Sequence, residues 1–484
     1  RMKRVVQLGA LLLGIVTSVC RADLASDINS ILGDKLLQRA SVGIEMVRLG
    51  AADGQAVEVY QHESRKPLTP ASNLKLVTTS AALDRLGADF KFRTVLLLHD
   101  KDLILIGAGD PSFGDSEYLR RVGWRVTTVY ENWAAQLKKN GITRIRNVVI
   151  DDSIFDEGFL HPHWPANQID HWYVAEVGGM NLDINCLDLS VDASVSPVRV
   201  SVSPVTKYVD IQNSCVPGAN AVQIGRKPGT NEIAIRGEAS PAVPGPFQET
   251  IHDPPMYAAT VLADTLSAAD IEVSGRVIRN TNAHVERAKA PPEYRAVGVH
   301  ETPIAVALAR ANKDSINLYA ECFCKLLGHE TSRTPGSWEN GTAAVGAFIR
   351  QIGISANEFH LDDGSGLSKH NNISPHALTR VLEYDFRGKS SDAFVASLSV
   401  SGVDGTLEDR FRGTDLRHRV VGKSGFVEGV SCLSGYLHAR DGQWYAFSIM
   451  MNGIPYKSNT LAKTLQEKIV RALDAHVTQQ AARG

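Results

Sequence analysis

Apolar and polar residues alternate along Ser41–Leu49 and Ala56–His62, a period of two that predicts two strands, with Ala52-Asp53-Gly54 as a hairpin signal between them. Pro67 and Pro70 stop the extended chain. The Leu- and Ala-rich run Ala71–Leu86 then predicts a helix closed by Gly87. From Phe92 to Val285 the pattern changes to short β-branched segments broken by Gly, Pro, Asn and Asp, among them Leu103–Ile106, Val148–Ile150, Leu187–Val191 and Val198–Ser203. Helical spacing returns at Pro254–Ser267 and dominates from Pro303. Ser315–Leu327 predicts a helix with Ile316, Ala320, Phe323 and Leu327 on one face. Arg419–Gly422, Leu433–Arg440 and Trp444–Asn452 predict three strands, with Asp441-Gly442 as a turn. Leu461, Leu465, Ile469, Leu473 and Val477 recur every fourth residue in a closing helix expected to pack on those strands. The pattern implies one mixed α/β domain, 23–91 and 291–484, split by a β-rich insertion over 92–290 that is one domain or two nested ones.

The chain has 484 residues, 43% hydrophobic and 21% charged, which fits two or three globular domains. Its 51 Lys and Arg against 53 Asp and Glu leave a net charge of -2, so no concentrated basic character points to nucleic acid. A basic start at Arg1–Arg4, an apolar run from Val5 to Val19 and the small-x-small pattern ending at Ala22 predict an export signal over 1–22. That run is shorter than the ~20 residues that span a bilayer, and no later run is long enough, so no transmembrane span is expected after cleavage. Of the cysteines beyond the leader, Cys186 and Cys215 share a strand-rich stretch and are the pair expected to bridge, if any does. Cys322 and Cys324 sit two apart in a helical pattern and point in different directions, a poor metal clamp. His329-Glu330 lacks the second histidine of a zinc-protease helix. His161-Pro162-His163 reads as a surface loop, and Gly364-Ser365-Gly366 as a turn. No metal and no organic cofactor is expected.

The chemistry lies in three short motifs. Ser72-Asn73-Leu74-Lys75 puts a hydroxyl and an amine almost one helical turn apart, on the same face. A serine hydroxyl is a weak nucleophile until a neighbouring base takes its proton, and a lysine is that base once its pKa is lowered by burial. At a helix start, free backbone N–H groups also face a developing oxyanion. Alone, S-x-x-K more often describes a capping serine beside a surface lysine. Ser315-Ile316-Asn317 adds a hydroxyl that can relay a proton and an amide that can hold a substrate. Lys423-Ser424-Gly425, on a predicted strand, adds positive charge, a hydroxyl donor and room for a peptide along the strand edge. In this order the three match the signature of penicillin-binding proteins and serine β-lactamases.

The sequence resembles the D-alanyl-D-alanine carboxypeptidase/endopeptidase family, the class C low-molecular-mass penicillin-binding proteins. Besides the three motifs, the resemblance rests on Gly107–Pro111, Ile150–Phe155, Asp363–Ser368 and Gly402–Leu407, and on the long gap between Lys75 and Ser315. It implies a serine β-lactamase/DD-peptidase-like transpeptidase domain, an antiparallel sheet flanked by helices. Ser72 is then the acylated nucleophile, Lys75 its general base, Ser315 a proton shuttle, Asn317 a substrate holder and Lys423 the cation of the cleft. The oxyanion donors are the N–H groups of Ser72 and Phe426, and Asp151 matches an insertion residue that reads a free amino end. Asp151 reads equally well as a strand-end turn. Ser424 stands where threonine is commoner, and Phe426-Val427 replaces Thr-Leu. The implied substrates are peptidoglycan stem peptides in the periplasm, with β-lactams as inhibitors. A serine β-lactamase and a non-catalytic wall- or β-lactam-binding protein are the competing readings.

Overall fold

The computed structural model describes residues 23–50, 54, 56–280 and 293–481. The expected leader, most of the first hairpin turn and the expected boundary at 290/291 lie outside the described residues.

Six strands form an antiparallel sheet in the order Ser399–Val400, Val420–Val427, Val430–His438, Trp444–Asn452, Ser41–Arg48, Val57–His62. Its period of two sorts the core onto both faces. Cys432, Tyr436, Ala446 and Met450 point to a helical layer containing Leu74–Leu86, Asn317–Ser332 and Pro375–Arg387. Leu433, Leu437, Phe447 and Ile449 point the other way, where Ile28 of Leu24–Leu32 and Leu465, Ile469 and Leu473 of Asn459–Ala481 cover them. Each fully buried Leu, Ile, Phe or Met side chain among them contributes about 1.5–3 kcal/mol of transfer free energy.

The chain leaves this sheet at Lys91 and builds a second one, in the order Val277–Arg279, Val148–Asp151, Asp102–Ile106, Lys91–His99, Arg295–Pro303. The first three strands run parallel, the last two antiparallel to their neighbours. Helices Thr128–Lys139 and Pro254–Ala268, the second at the place the helical spacing predicts, bury Tyr130, Trp133, Tyr257 and Leu262 against it, so this part is α/β. Two three-stranded sheets, one containing Cys186–Asp192 and the other Asp210–Pro217, complete it.

Three expectations change. Cys186 and Cys215 are not bridged: they are buried free thiols on strands of different sheets. The second-motif helix starts at Asn317 and not at Ser315, which precedes it with a left-handed φ of 61°. Leu461 is 61% exposed, because a spacing of four drifts about 40° per step around a helix of 3.6 residues per turn, and at the start of the closing helix the buried stripe passes through Ala462 instead. Among the described residues no helix is long and apolar enough to cross a membrane.

Candidate active site

Ser72 sits in a one-turn 3-10 segment, Ala71–Asn73, that runs directly into the Leu74–Leu86 helix. The approach is pinned by Asn452, whose side chain accepts from Thr69 N–H at 2.8 Å and donates to Thr69 carbonyl at 3.1 Å. Ala71 has a left-handed φ of 47°, a conformation costing an L-residue about 1–2 kcal/mol. Two glycines permit the packing around it. A Cβ on Gly425 would lie 2.7 Å from Pro70 carbonyl, and one on Gly366 would lie 1.9 Å from Ala71 carbonyl. The third-motif strand and the 362–371 loop therefore close on the Ser72 turn from two sides.

Lys75 is fully buried, and its Nζ lies 2.9 Å from Ser72 Oγ, 2.6 Å from Asn317 Oδ1 and 3.0 Å from Ser365 carbonyl. The last two partners can only accept. In a neutral amine they take both N–H bonds, and the lone pair is left for the Ser72 proton. Burial pushes the Lys75 ammonium down to about 7, against the opposing pull of Glu321 and Asp363. Lys423, also buried, donates to Ser315 Oγ at 2.8 Å and Ser424 carbonyl at 2.9 Å. Burial and then the nearby Lys75 hold its pKa well below the usual lysine range, with Asp314 opposing.

The three motifs thus converge: Lys75 joins Ser72 to Asn317 of the second motif by contacts of 2.9 and 2.6 Å, and Lys423 of the third joins Ser315 of the second at 2.8 Å. Ser424, Gly425 and Phe426 lie along the outer edge of their strand. Ser399–Val400 pairs there only with Val421 and Gly422, and Phe426 is 54% exposed. Asp151 ends a strand, buried, and its Oδ1 accepts from Ser153 N–H at 3.1 Å and Ser153 Oγ at 2.6 Å. Its hydrogen bonds are those of a strand-end turn and do not reach the three motifs.

Behind the three motifs lie charged residues that belong to none of them. Asn317, Glu321 and Lys325 recur every fourth residue on a buried face of one helix, a polar stripe that in a sequence ordinarily marks a face turned to water. Glu321 accepts from the N–H groups of Gly364 and Ser365, and Asp363 from those of Gly366 and Ser368 and from Trp164 Nε1. Lys325 donates to Asp156 and Gly158 and lies 3.9 Å over the Trp338 ring. The second sheet's region also supplies Tyr173, whose carbonyl accepts from Asn317 Nδ2 at 2.7 Å. His161 and His163 meet Asp362. There His161 uses Nε2 on Asp362 carbonyl and Nδ1 on His163 N–H, so its ring is committed to holding the 362–371 loop.

Fold and site together define a serine acyl-transfer hydrolase of the penicillin-binding class. The model of the D-Ala-D-Ala carboxypeptidase 3 (S13) family matches residues 24–476, and the chain belongs to that family. It is a serine-type D-Ala-D-Ala carboxypeptidase, and neither the β-lactamase nor the non-catalytic reading is favoured. The chain is 29% identical to the D-alanyl-D-alanine carboxypeptidase of Actinomadura sp. (strain R39), over 96% of this chain and 86% of that one. It is 26% identical to the D-alanyl-D-alanine carboxypeptidase DacB of Haemophilus influenzae, over 83% and 84%. The crystal structure of penicillin binding protein 4 from Haemophilus influenzae matches its fold with a TM-score of 0.76, at 24% identity, covering 92% of this chain and 99% of that one.

Proposed function

We propose that Ser72 attacks the carbonyl of a D-alanyl peptide bond in a peptidoglycan stem peptide while its proton passes to the Lys75 lone pair. The carbonyl electron pair moves to oxygen, which the backbone N–H groups of Ser72 and Phe426 receive. Collapse breaks the C–N bond, and the proton that Lys75 took from Ser72 passes through the Ser315 hydroxyl, held by Lys423, to the leaving amine, so that Lys75 is neutral again. Water then adds to the ester, Lys75 takes its proton, and as the ester C–O bond breaks Lys75 returns that proton to Ser72 Oγ. Terminal D-alanine as leaving group makes this carboxypeptidase action; a cross-linked amine makes it endopeptidase action. The open edge at Ser424–Phe426 receives the peptide backbone, Lys423 and the Ser424 hydroxyl its carboxylate, and Asn317 its amide. Asp151, at the end of its strand in the insertion, reads a free amino end of the substrate side chain. In this reading 23–91 and 291–484 form the peptidase domain, 92–290 the insertion, and the enzyme works in the periplasm.

The observation that carries the mechanism is the committed geometry of Lys75, whose two other partners are both acceptors. A penicillin-binding relative, penicillin binding protein 4 of Haemophilus influenzae, has been solved in complex with a novel β-lactam, and we infer that β-lactams acylate Ser72 here. Intact-mass spectrometry with benzylpenicillin tests this. A stable adduct on the full chain that is lost in Ser72→Ala supports the assignment. Rapid drug turnover without adduct would return the β-lactamase reading, and a folded chain giving neither would refute acyl transfer.

A further inference from the structure

Glu321 belongs to none of the three motifs, yet it is fully buried behind them. Its Oε1 accepts from Ser365 N–H at 2.7 Å, and its Oε2 from Gly364 N–H at 2.9 Å and Trp338 Nε1 at 2.8 Å. Three N–H donors converge on two oxygens, and leaving a buried donor unpaired costs about 1–3 kcal/mol. The place suits a carboxylate and not a carboxamide, which offers one acceptor oxygen and brings two N–H bonds of its own. The backbone it holds is the one whose Ser365 carbonyl accepts from Lys75 Nζ at 3.0 Å.

Glu321 therefore acts on Lys75 in two ways: it fixes one hydrogen-bond partner, and it adds negative charge beside a desolvated amine. Asp363, from the 362–371 loop, acts on Lys75 with the same sign, and Lys423, from the neighbouring strand, with the opposite sign. Glu321 itself faces Asp363 and, one turn along its own helix, Lys325. Burial and then Asp363 raise the Glu321 carboxyl above the usual carboxylate range, and the Ser365, Gly364 and Trp338 donors oppose them by favouring the ionised form.

We propose that Glu321 is a positioning residue for acylation, holding the Gly364–Ser365 backbone that aims the Lys75 lone pair at Ser72 and setting the pH at which Lys75 becomes a free base. This rests on Lys75 as the general base. The neutral amine is the active form, and a nearby carboxylate favours the protonated one. Removing that charge moves the acid limb of the rate profile to lower pH, whereas loss of a merely structural contact lowers rate or stability and leaves the limb in place.

The second-order rate of acylation by benzylpenicillin, followed from about pH 5 to about pH 9 on the full chain, tests this. In Glu321→Gln the acid limb is expected to fall by about one pH unit, with a plateau about 10- to 100-fold lower because the Ser365 carbonyl is released. Glu321→Asp keeps the charge and should restore the limb, though not the full rate. Trp338→Phe removes one donor that favours the ionised carboxylate and should move the limb the same way by a smaller step. An unmoved limb in folded Glu321→Gln overturns the proposal, and if that variant does not fold, an unmoved limb in Trp338→Phe does so. A wild-type chain that is never acylated overturns the Ser72–Lys75 assignment itself, an outcome distinct from either.

Discussion

Asn317 ties three parts of the molecule together through one amide. Its oxygen can only accept, and faces Lys75 Nζ; its nitrogen donates to Tyr173 carbonyl. The residue is therefore a neutral spacer between a base that must lose its proton and a carbonyl that must be capped. Asn317→Asp tests this. A carboxylate 2.6 Å from Lys75 Nζ favours the ammonium, and its second oxygen opposes the Tyr173 carbonyl. The pKa of Lys75, held at about 7 by burial, should rise, so the acid limb of acylation moves up by about 1–3 pH units. The shift is opposite in sign to that of Glu321→Gln. A stopped-flow pH profile of penicillin acylation reads it, and an unmoved limb would mean that a group other than Lys75 titrates.

At the scale of elements, the strand Val420–Val427 couples the sheet to the Ser72 turn. Its inner neighbour holds it in register, Lys423 opposite Ser434 and Gly425 opposite Cys432, so it cannot retreat. A methyl at position 425 would meet Pro70 carbonyl at 2.7 Å and the N–H nitrogen of Asn73 at 3.0 Å, both backbone atoms. Gly425→Ala should cost about 1–3 kcal/mol in urea unfolding and slow acylation, because the turn carrying Ser72 must shift. Unchanged stability with unchanged acylation would remove this strand from any role in holding the nucleophile. The same strand marks the limit of what alternation reveals. The β-branched pair Val420-Val421 makes Arg419–Gly422 legible as strand, whereas Lys-Ser-Gly-Phe has no apolar pattern of its own and is placed on the strand only as its continuation, because those residues answer to a buried cleft on one side and an open edge on the other. The motif residues were legible since their chemistry depends on spacing along a helix or strand. Glu321 was not, because a charged residue among apolar ones in a helix ordinarily faces water, and only the contact with the 364–365 backbone reveals its use. Nothing in Asp314-Ser315-Ile316 announces a left-handed serine, which is imposed by the tertiary contact between Ser315 and Lys423.

For the whole molecule, the two sheet systems are joined by buried polar contacts and not by apolar packing alone. The clearest is Asp115, which caps the Ser116–Arg121 helix beside the second sheet and is almost completely buried. Its carboxylate accepts from Arg310 at 2.8 Å and from the Tyr319 hydroxyl, one on the helix before the second motif and one on the helix after it. Arg310 also pairs with Asp314 at 2.6 Å, next to Ser315. Taking away Asp115 leaves a buried guanidinium with half its compensation, and breaking a buried pair from one side costs about 3–5 kcal/mol. Because Arg310 then has only Asp314 to hold it, the damage should spread from the insertion into the segment carrying Ser315. Asp115→Ala is therefore expected to unfold at lower denaturant in one transition, with tryptophan fluorescence and loss of penicillin acylation following the same curve. Asp115→Asn, which keeps an acceptor oxygen but no charge, should fall between the two. Two separated transitions, the second with full acylation, would mean that the insertion unfolds alone and that the contact is peripheral to the peptidase part.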